Sequence, residues 1–281
     1  MARLIDDGYG KQRVRVTKVV RDGEVHSVYE LSVDVTLRGE FERVYTDGDN
    51  SPCVPTDTMK NTVYALAKTT DFDGPEQFAL TLSAHFVGNF EHVTSAEVAI
   101  AQVRWARIVV DGREHDHSFY RQPGMRTAHV VRENDEPPTV SGGIEGLQVL
   151  KSSGSGFSGF LKDEYTTLPE TDDRILATTV DATWTYASQD IPFNEAFETA
   201  NQRIADVFAT HQSPSLQSTL YAIGERVLED VPSIEKIHLS MPNQHHLWVD
   251  LSPFGLDNDD VVFKATDEPY GLIEGTVGRS A

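Results

Sequence analysis

The stretch that decides the fold is "YELSVDVTLRGEF", Tyr29 to Phe41. Leu31, Val33, Val35 and Leu37 alternate with Ser32, Asp34, Thr36 and Arg38. Successive strand side chains point to opposite faces, so this period of two predicts a half-buried β-strand. The preceding "VRVTKVV" reads as its partner. Downstream, "VPTDTMKNTVYALAK", Val54 to Lys68, changes to helical spacing, with Met59, Val63, Leu66 and Ala67 on one stripe. A second helix follows in "GPEQFALTLSAHFVGNF", where Pro75 suits the first helical position and Phe78, Leu82, Phe86 and Phe90 share a face. Two more strands, "AEVAIAQVRWARIVV" and "HSFYRQ", flank Asp111-Gly112, a strong hairpin signal.

The same order returns further along. "GLQVLKSS" and "RILATTVDATWTYAS" read as strands, the second with Val180, Ala182, Trp184 and Tyr186 on one face. A helix from about Pro192 to His211 aligns Phe193, Phe197, Ala200, Ile204 and Phe208, and another opens at "SPSLQSTLYAIGERVL" with Ser213 as cap. "IEKIHLSMP" and "HHLWVDLS" close the series as strands. Between the halves lies "RENDEPPTVSGG", Arg132 to Gly143, whose charges, Pro-Pro and Gly-Gly have linker composition. The order ββααββ, twice, predicts an α+β fold: antiparallel sheet with helices gathered on one face, in units 1–136 and 137–281.

Composition narrows function. Forty-four acidic residues against 24 Lys and Arg give a net charge of −20, which opposes nucleic acid and anionic membranes as partners. A single cysteine, Cys53, excludes an intramolecular disulfide and a cysteine-based zinc site. The start of the chain has no apolar core of a secretion signal, no run reaches membrane-spanning length, and the closing "VGRSA" lacks a Ser-Lys-Leu address. The expectation is a cytoplasmic protein of prokaryotic type.

No phosphate loop, dinucleotide fingerprint, nucleophile elbow or Cys-x-x-Cys occurs. His115 and His117 would share a strand face, but no third metal ligand lies near, so they read as surface or hydrogen-bonded histidines. Arg174, Phe157 and Gln217, taken singly, read as a surface ion pair, a core aromatic and a solvent-facing amide. At the start of the first helix, Thr56, Asp57, Thr58, Lys60 and Asn61 crowd polar groups that suit either a cap or a site. A standard capping box is excluded, because Met59 and Lys60 stand where Glu or Gln is wanted.

Together, five segments resemble the urate oxidase family in order and spacing. They are "YGKQRVRV", "PTDTMKNTVY", "LQVLKSSGSGFSGFLKDEYTTLPETDDR", "SLQSTLY" and "MPNQHHLWVDL". The resemblance runs from Tyr9 to Arg279, and the long central block is its most specific part. It implies two tandem tunnelling-fold (T-fold) units per chain, and a homotetramer that encloses a β-lined tunnel with active sites at subunit interfaces. It implies oxidation of urate by O2 to 5-hydroxyisourate and hydrogen peroxide, with no metal and no organic cofactor.

Carried onto this chain, the resemblance implies that Phe157 stacks on the purine while Arg174 and Gln217 grip its polar edges. The backbone of Leu216 and the N–H of Asp57 would add hydrogen bonds, and Asn243 would face the oxygen side. Lys11, Thr56 and His245 would relay protons. The helix start is then both a helix terminus and part of a site. Pro55 before Thr56 and Gln244 after Asn243 depart from what is usual there. Two rivals stand beside this reading: another T-fold enzyme acting on a pterin or purine, and a non-catalytic purine-binding homologue.

Overall fold

The computed structural model describes residues 2–134 and 136–279. Met1, Asp135, Ser280 and Ala281 lie outside it, and with them the last two positions of "VGRSA" and one position of the expected linker. Two compact units are present: one of Met1–Gly143 with Thr185–Phe197, the other of Ile144–Trp184 with Glu198–Ala281.

In the first unit, β1 (Tyr9–Asp22) and β2 (Val25–Gly39) form an antiparallel hairpin. β2 pairs with β3 (Val93–Val110), and β3 with β4 (Arg113–Glu133), all antiparallel. The predicted alternation of β2 is realised: Leu31, Val33, Val35 and Leu37 are fully buried. Between β2 and β3 the chain forms a single turn, α1 (Glu42–Thr46), then α2 (Thr56–Thr69) and α3 (Pro75–Asn89). Met59 and Val63 of α2 and Phe78, Leu82 and Phe86 of α3 are buried, as their spacing requires. Fully burying one such side chain contributes on the order of 1.5–3 kcal/mol, so these faces hold the helices on the sheet. The β3–β4 turn has φ of +50° at Asp111 and +78° at Gly112, the conformation that a tight two-residue hairpin needs.

The core of this unit also encloses an ion pair. Glu76 of α3 is fully buried and accepts from Arg126 of β4 at 2.6 and 3.3 Å. Arg126 further donates to Asn194 Oδ1 at 2.6 Å and lies 4.5 Å from the Phe197 ring centroid. Burial pushes the Glu76 carboxyl up, and Arg126 opposes that shift.

The second unit has most of β5 (Thr139–Lys151), β6 (Leu176–Tyr186) and α4 (Phe193–Thr210), whose residues 139–143, 185–186 and 193–197 belong to the first unit, and all of α5 (Leu216–Asp230) and β7 (Ile234–Ser240). After these come β8 (Asn243–Trp248), β9 (Phe263–Gly271) and β10 (Glu274–Gly278). The sheet order is β5-β6-β7-β10. Val180, Ala182 and Trp184 of β6 and Ala200, Ile204 and Phe208 of α4 are buried on the predicted faces.

Three expectations are corrected. The strand completing the second ββααββ is β10, which pairs with β7; "HHLWVDLS" supplies β8, which pairs with β6 and β9 in an inserted hairpin. The linker is shorter than its composition indicates, because β5 already begins at Thr139, where Thr-Val favours a strand over a turn. The cap of α5 is Ser215, which accepts the Ser218 N–H, while Ser213 donates its hydroxyl to the Ser215 carbonyl.

Candidate active site

In the first unit the predicted residues lie where β1 meets the start of α2. Lys11 pairs with Val35 at the last regular position before a bulge that takes in Gln12 and Arg13. Arg13 adopts φ of +57°, and its N–H bonds the Asp34 carboxylate. Bulges re-aim neighbouring side chains. Gly10 is required here, since a Cβ on it would stand 1.8 Å from the Val35 carbonyl oxygen.

Thr56 is the first residue of α2, and the N-cap position is Pro55, with no side chain capping the helix. The capping reading of Thr56 and Asp57 is therefore overturned: proline fixes φ and carries no side-chain acceptor. Asp57 turns its exposed carboxylate forward along its own helix, accepting from Lys60 and, at 2.9 Å, from Asn61. That contact with Lys60 holds the Asp57 carboxyl below its usual range, and Lys11 adds a smaller push in the same direction. Lys11 is thus within electrostatic reach of the α2 start, where backbone N–H groups are left without a side-chain partner.

Tyr9, not singled out from the sequence, joins these pieces. Its hydroxyl accepts the Val54 N–H at 2.7 Å, and its ring packs edge-on against Phe41 at 4.9 Å. Burial, then the neighbouring Cys53 thiol, pushes the phenol well up.

In the second unit four of the predicted residues, Phe157, Arg174, Leu216 and Gln217, lie in or beside one stitched region. Phe157 exchanges backbone hydrogen bonds with Thr171, at 2.7 and 3.1 Å, and its ring stacks on Phe160 at 4.9 Å. The Arg174 guanidinium lies 5.2 Å from the Phe157 centroid. It is half-buried, and its Nε is buried without a hydrogen-bond partner. Burial holds the pKa of this guanidinium below its ordinary value. Gly154 and Gly156 bond backbone to backbone with Ser213, just ahead of α5. Leu216, buried, and Gln217, exposed, are the first two residues of that helix.

Asn243 opens β8, paired with Thr178 and Gly271; His245 pairs with Thr266 beyond a register shift. Gln244 donates to Thr179 Oγ1 at 3.1 Å, which ties β8 to β6. A cavity of about 380 Å³ is lined by Phe157, Thr171, Gln212 and Ser213 among others. A larger one, about 700 Å³, lies in the first unit beside Ile5, Glu42 and His92 and takes in none of the predicted residues. Among the described residues no group of His, Cys, Asp or Glu is arranged to hold a metal ion; the His115 and His117 rings lie 4.6 Å apart, edge to face.

Asp173 was also missed. Its carboxylate accepts from the Ser153 hydroxyl at 2.6 Å, the Gly154 N–H at 2.7 Å and the Ser155 N–H at 3.1 Å. No sequence spacing announces such bonds, because two of the three donors are backbone amides on a separate loop.

The profile of the family described as Uricase matches residues 7–131 and 140–274. The chain belongs to the uricase family. Among curated relatives, the uricase of Dictyostelium discoideum is 42% identical over 283 residues, covering 100% of this chain and 99% of that protein. The uricase of Arthrobacter globiformis is 45% identical over 271 residues, with 96% and 88% covered. The crystal structure of Arthrobacter globiformis uricase superposes with a TM-score of 0.94, at 45% identity over 99% of this chain and 96% of that one. Membership of the uricase family therefore spans both units.

Proposed function

We propose that this protein is a urate oxidase, a cofactor-independent oxidoreductase of purine degradation. The observation that carries the reading is the Phe157–Arg174 pair, with a buried Nε that has no partner, in a chain matched to the uricase family along its length. A planar guanidinium offers paired N–H donors that fit adjacent N and O atoms of an anion, and an aromatic face fits a flat ring. Phe157 stacks on urate, and Arg174 and Gln217 grip its polar edges. Leu216 adds a backbone bond, and the Asp57 N–H, at a helix start, takes the far edge.

The reaction balances without a helper. Urate gives up two electrons to O2, water supplies the hydroxyl at C5, and the products are 5-hydroxyisourate and hydrogen peroxide. The protein's task is to hold urate beside O2 and to move protons. Asn243 faces the oxygen side, and Lys11, Thr56 and His245 form the relay, with the Thr56 hydroxyl able to donate and accept.

The two T-fold units divide near residues 136 and 137, and four chains assemble into a tunnel with sites between subunits. Exposed Leu247, Trp248, Phe254, Leu256 and Val261 on and after β8, and an outer edge of β1 without a paired strand among those described, support assembly. Among the described residues no helix is long and apolar enough to cross a membrane. A single cysteine suits a reducing compartment, which supports a cytoplasmic location.

The test is direct. Purified protein in aerated buffer with a metal chelator should remove the near-ultraviolet absorbance of urate and release one peroxide per urate consumed. Stable absorbance would overturn the reading in favour of a purine-binding homologue. Turnover of a pterin in place of urate would favour another T-fold enzyme.

A further inference from the structure

We propose that Asp173 is a positioning residue that presets the Phe157–Arg174 clamp for its ligand. This rests on the urate oxidase reading above and names a residue outside the binding and relay groups. Asp173 immediately precedes Arg174, so whatever fixes its carboxylate also fixes the backbone from which the guanidinium projects. Its three accepted bonds fall on consecutive residues, Ser153, Gly154 and Ser155, the run that leads into Phe157. From the other side, the Thr171 hydroxyl donates to the Asp173 carbonyl at 2.6 Å, and Thr171 is the backbone partner of Phe157. The ring and the guanidinium, distant in sequence, are thus tied to Asp173 by two short routes, one through its carboxylate and one through its main-chain carbonyl.

The charge of Asp173 is engaged by N–H and O–H donors of the loop. The Ser153 hydroxyl first, and the Ser155 amide next, hold its carboxyl below the usual range. None of these bonds goes to the Arg174 side chain, whose Nε keeps its donor unpaired. A carboxylate one residue away in sequence would otherwise neutralise the guanidinium and compete with an anionic ligand. Asp173 instead uses its negative charge to order the loop, which leaves the positive charge of Arg174 for urate. Preorganisation of this kind lowers the ordering cost of binding.

The experiment compares Asp173→Ala, Asp173→Asn and Arg174→Ala in the assembled enzyme. Steady-state urate kinetics are read beside urate affinity measured without oxygen. Asp173→Ala is expected to raise KM and the anaerobic Kd about tenfold, with kcat within about threefold of the parent. Asp173→Asn keeps a carbonyl oxygen for the Gly154 and Ser155 amides and should return both constants to within about threefold. Should Asp173→Ala fail to fold, Asp173→Glu replaces it, and displacing the carboxylate by one methylene should raise KM about fivefold. Parent-like KM and Kd in Asp173→Ala or Asp173→Glu, while Arg174→Ala is impaired, would overturn the role of Asp173 alone. Failure of Asp173→Asn to recover affinity would overturn it too, by showing that the loop bonds are not what matters. A parent-like KM in Arg174→Ala would instead overturn the clamp itself.

Discussion

The Arg174 guanidinium stands 5.2 Å from the centre of the Phe157 ring, and the two belong to segments joined by a backbone ladder at Thr171. An arginine so placed is half desolvated before any ligand arrives. A charge-assisted hydrogen bond contributes roughly 1.5–3 kcal/mol, so a lost pair of them weakens binding by about a hundredfold or more. Arg174→Ala should therefore raise KM for urate strongly while thermal unfolding of the oligomer changes little. Unchanged steady-state constants in folded, assembled protein would make Arg174 a packing residue.

Tyr9 and Cys53 lie together ahead of the α2 start, and their substitutions should separate. Tyr9→Phe leaves the Val54 N–H without its acceptor, and an unsatisfied buried donor costs about 1–3 kcal/mol. Cys53→Ser keeps the side-chain size and should retain near-normal turnover. Denaturant unfolding of both variants, with turnover measured alongside, checks this. Equal stability loss in the two, or a collapse of turnover in Cys53→Ser, would contradict it.

The buried Glu76–Arg126 pair makes a different prediction, about folding alone. Removing one partner leaves an uncompensated charge, at a cost of about 3–5 kcal/mol. Arg126→Met should show that loss in urea unfolding, while Glu76→Gln with Arg126→Met should recover part of it. A double variant as unstable as the single one would show that the pair is not what Arg126 supplies.

Much of the fold could be read from the sequence because its signals are local. The alternation through Leu31, Val33, Val35 and Leu37, and the stripes of α2 and α3, each declare a buried face within one element. The exchange of roles between β8 and β10 could not be read. β10 is short, carries Gly275 and Gly278, and owes its place to pairing with β7 rather than to its own pattern. The site divides in the same way. Phe157, Arg174 and Gln217 were visible only through their resemblance to a family, since each alone has an ordinary structural explanation. Asp173 and Tyr9 act through backbone amides remote in sequence, and nothing in their own neighbourhood marks them.

If relay and clamp come from different subunits, two impaired variants should complement each other at urate concentrations too low for either alone. Lys11→Met and Arg174→Ala, unfolded together and reassembled, would form some interfaces with both intact halves. Activity above that of either parent variant is expected. No recovery in mixed oligomers of confirmed composition would place both halves of each site on one chain.

The proposed relay makes Lys11 and Thr56 work as one unit, and turnover at saturating urate tests this most directly. Lys11→Met keeps the aliphatic stem and removes the nitrogen, so assembly and anaerobic urate binding should persist. Turnover should fall by roughly a hundredfold or more, the scale of losing a positioned acid–base group. Thr56→Ala should lose a comparable factor, and the double variant should be little worse than either, because residues acting as a unit are not additive. Losses that multiply in the double variant, or full activity in Lys11→Met, would contradict the relay.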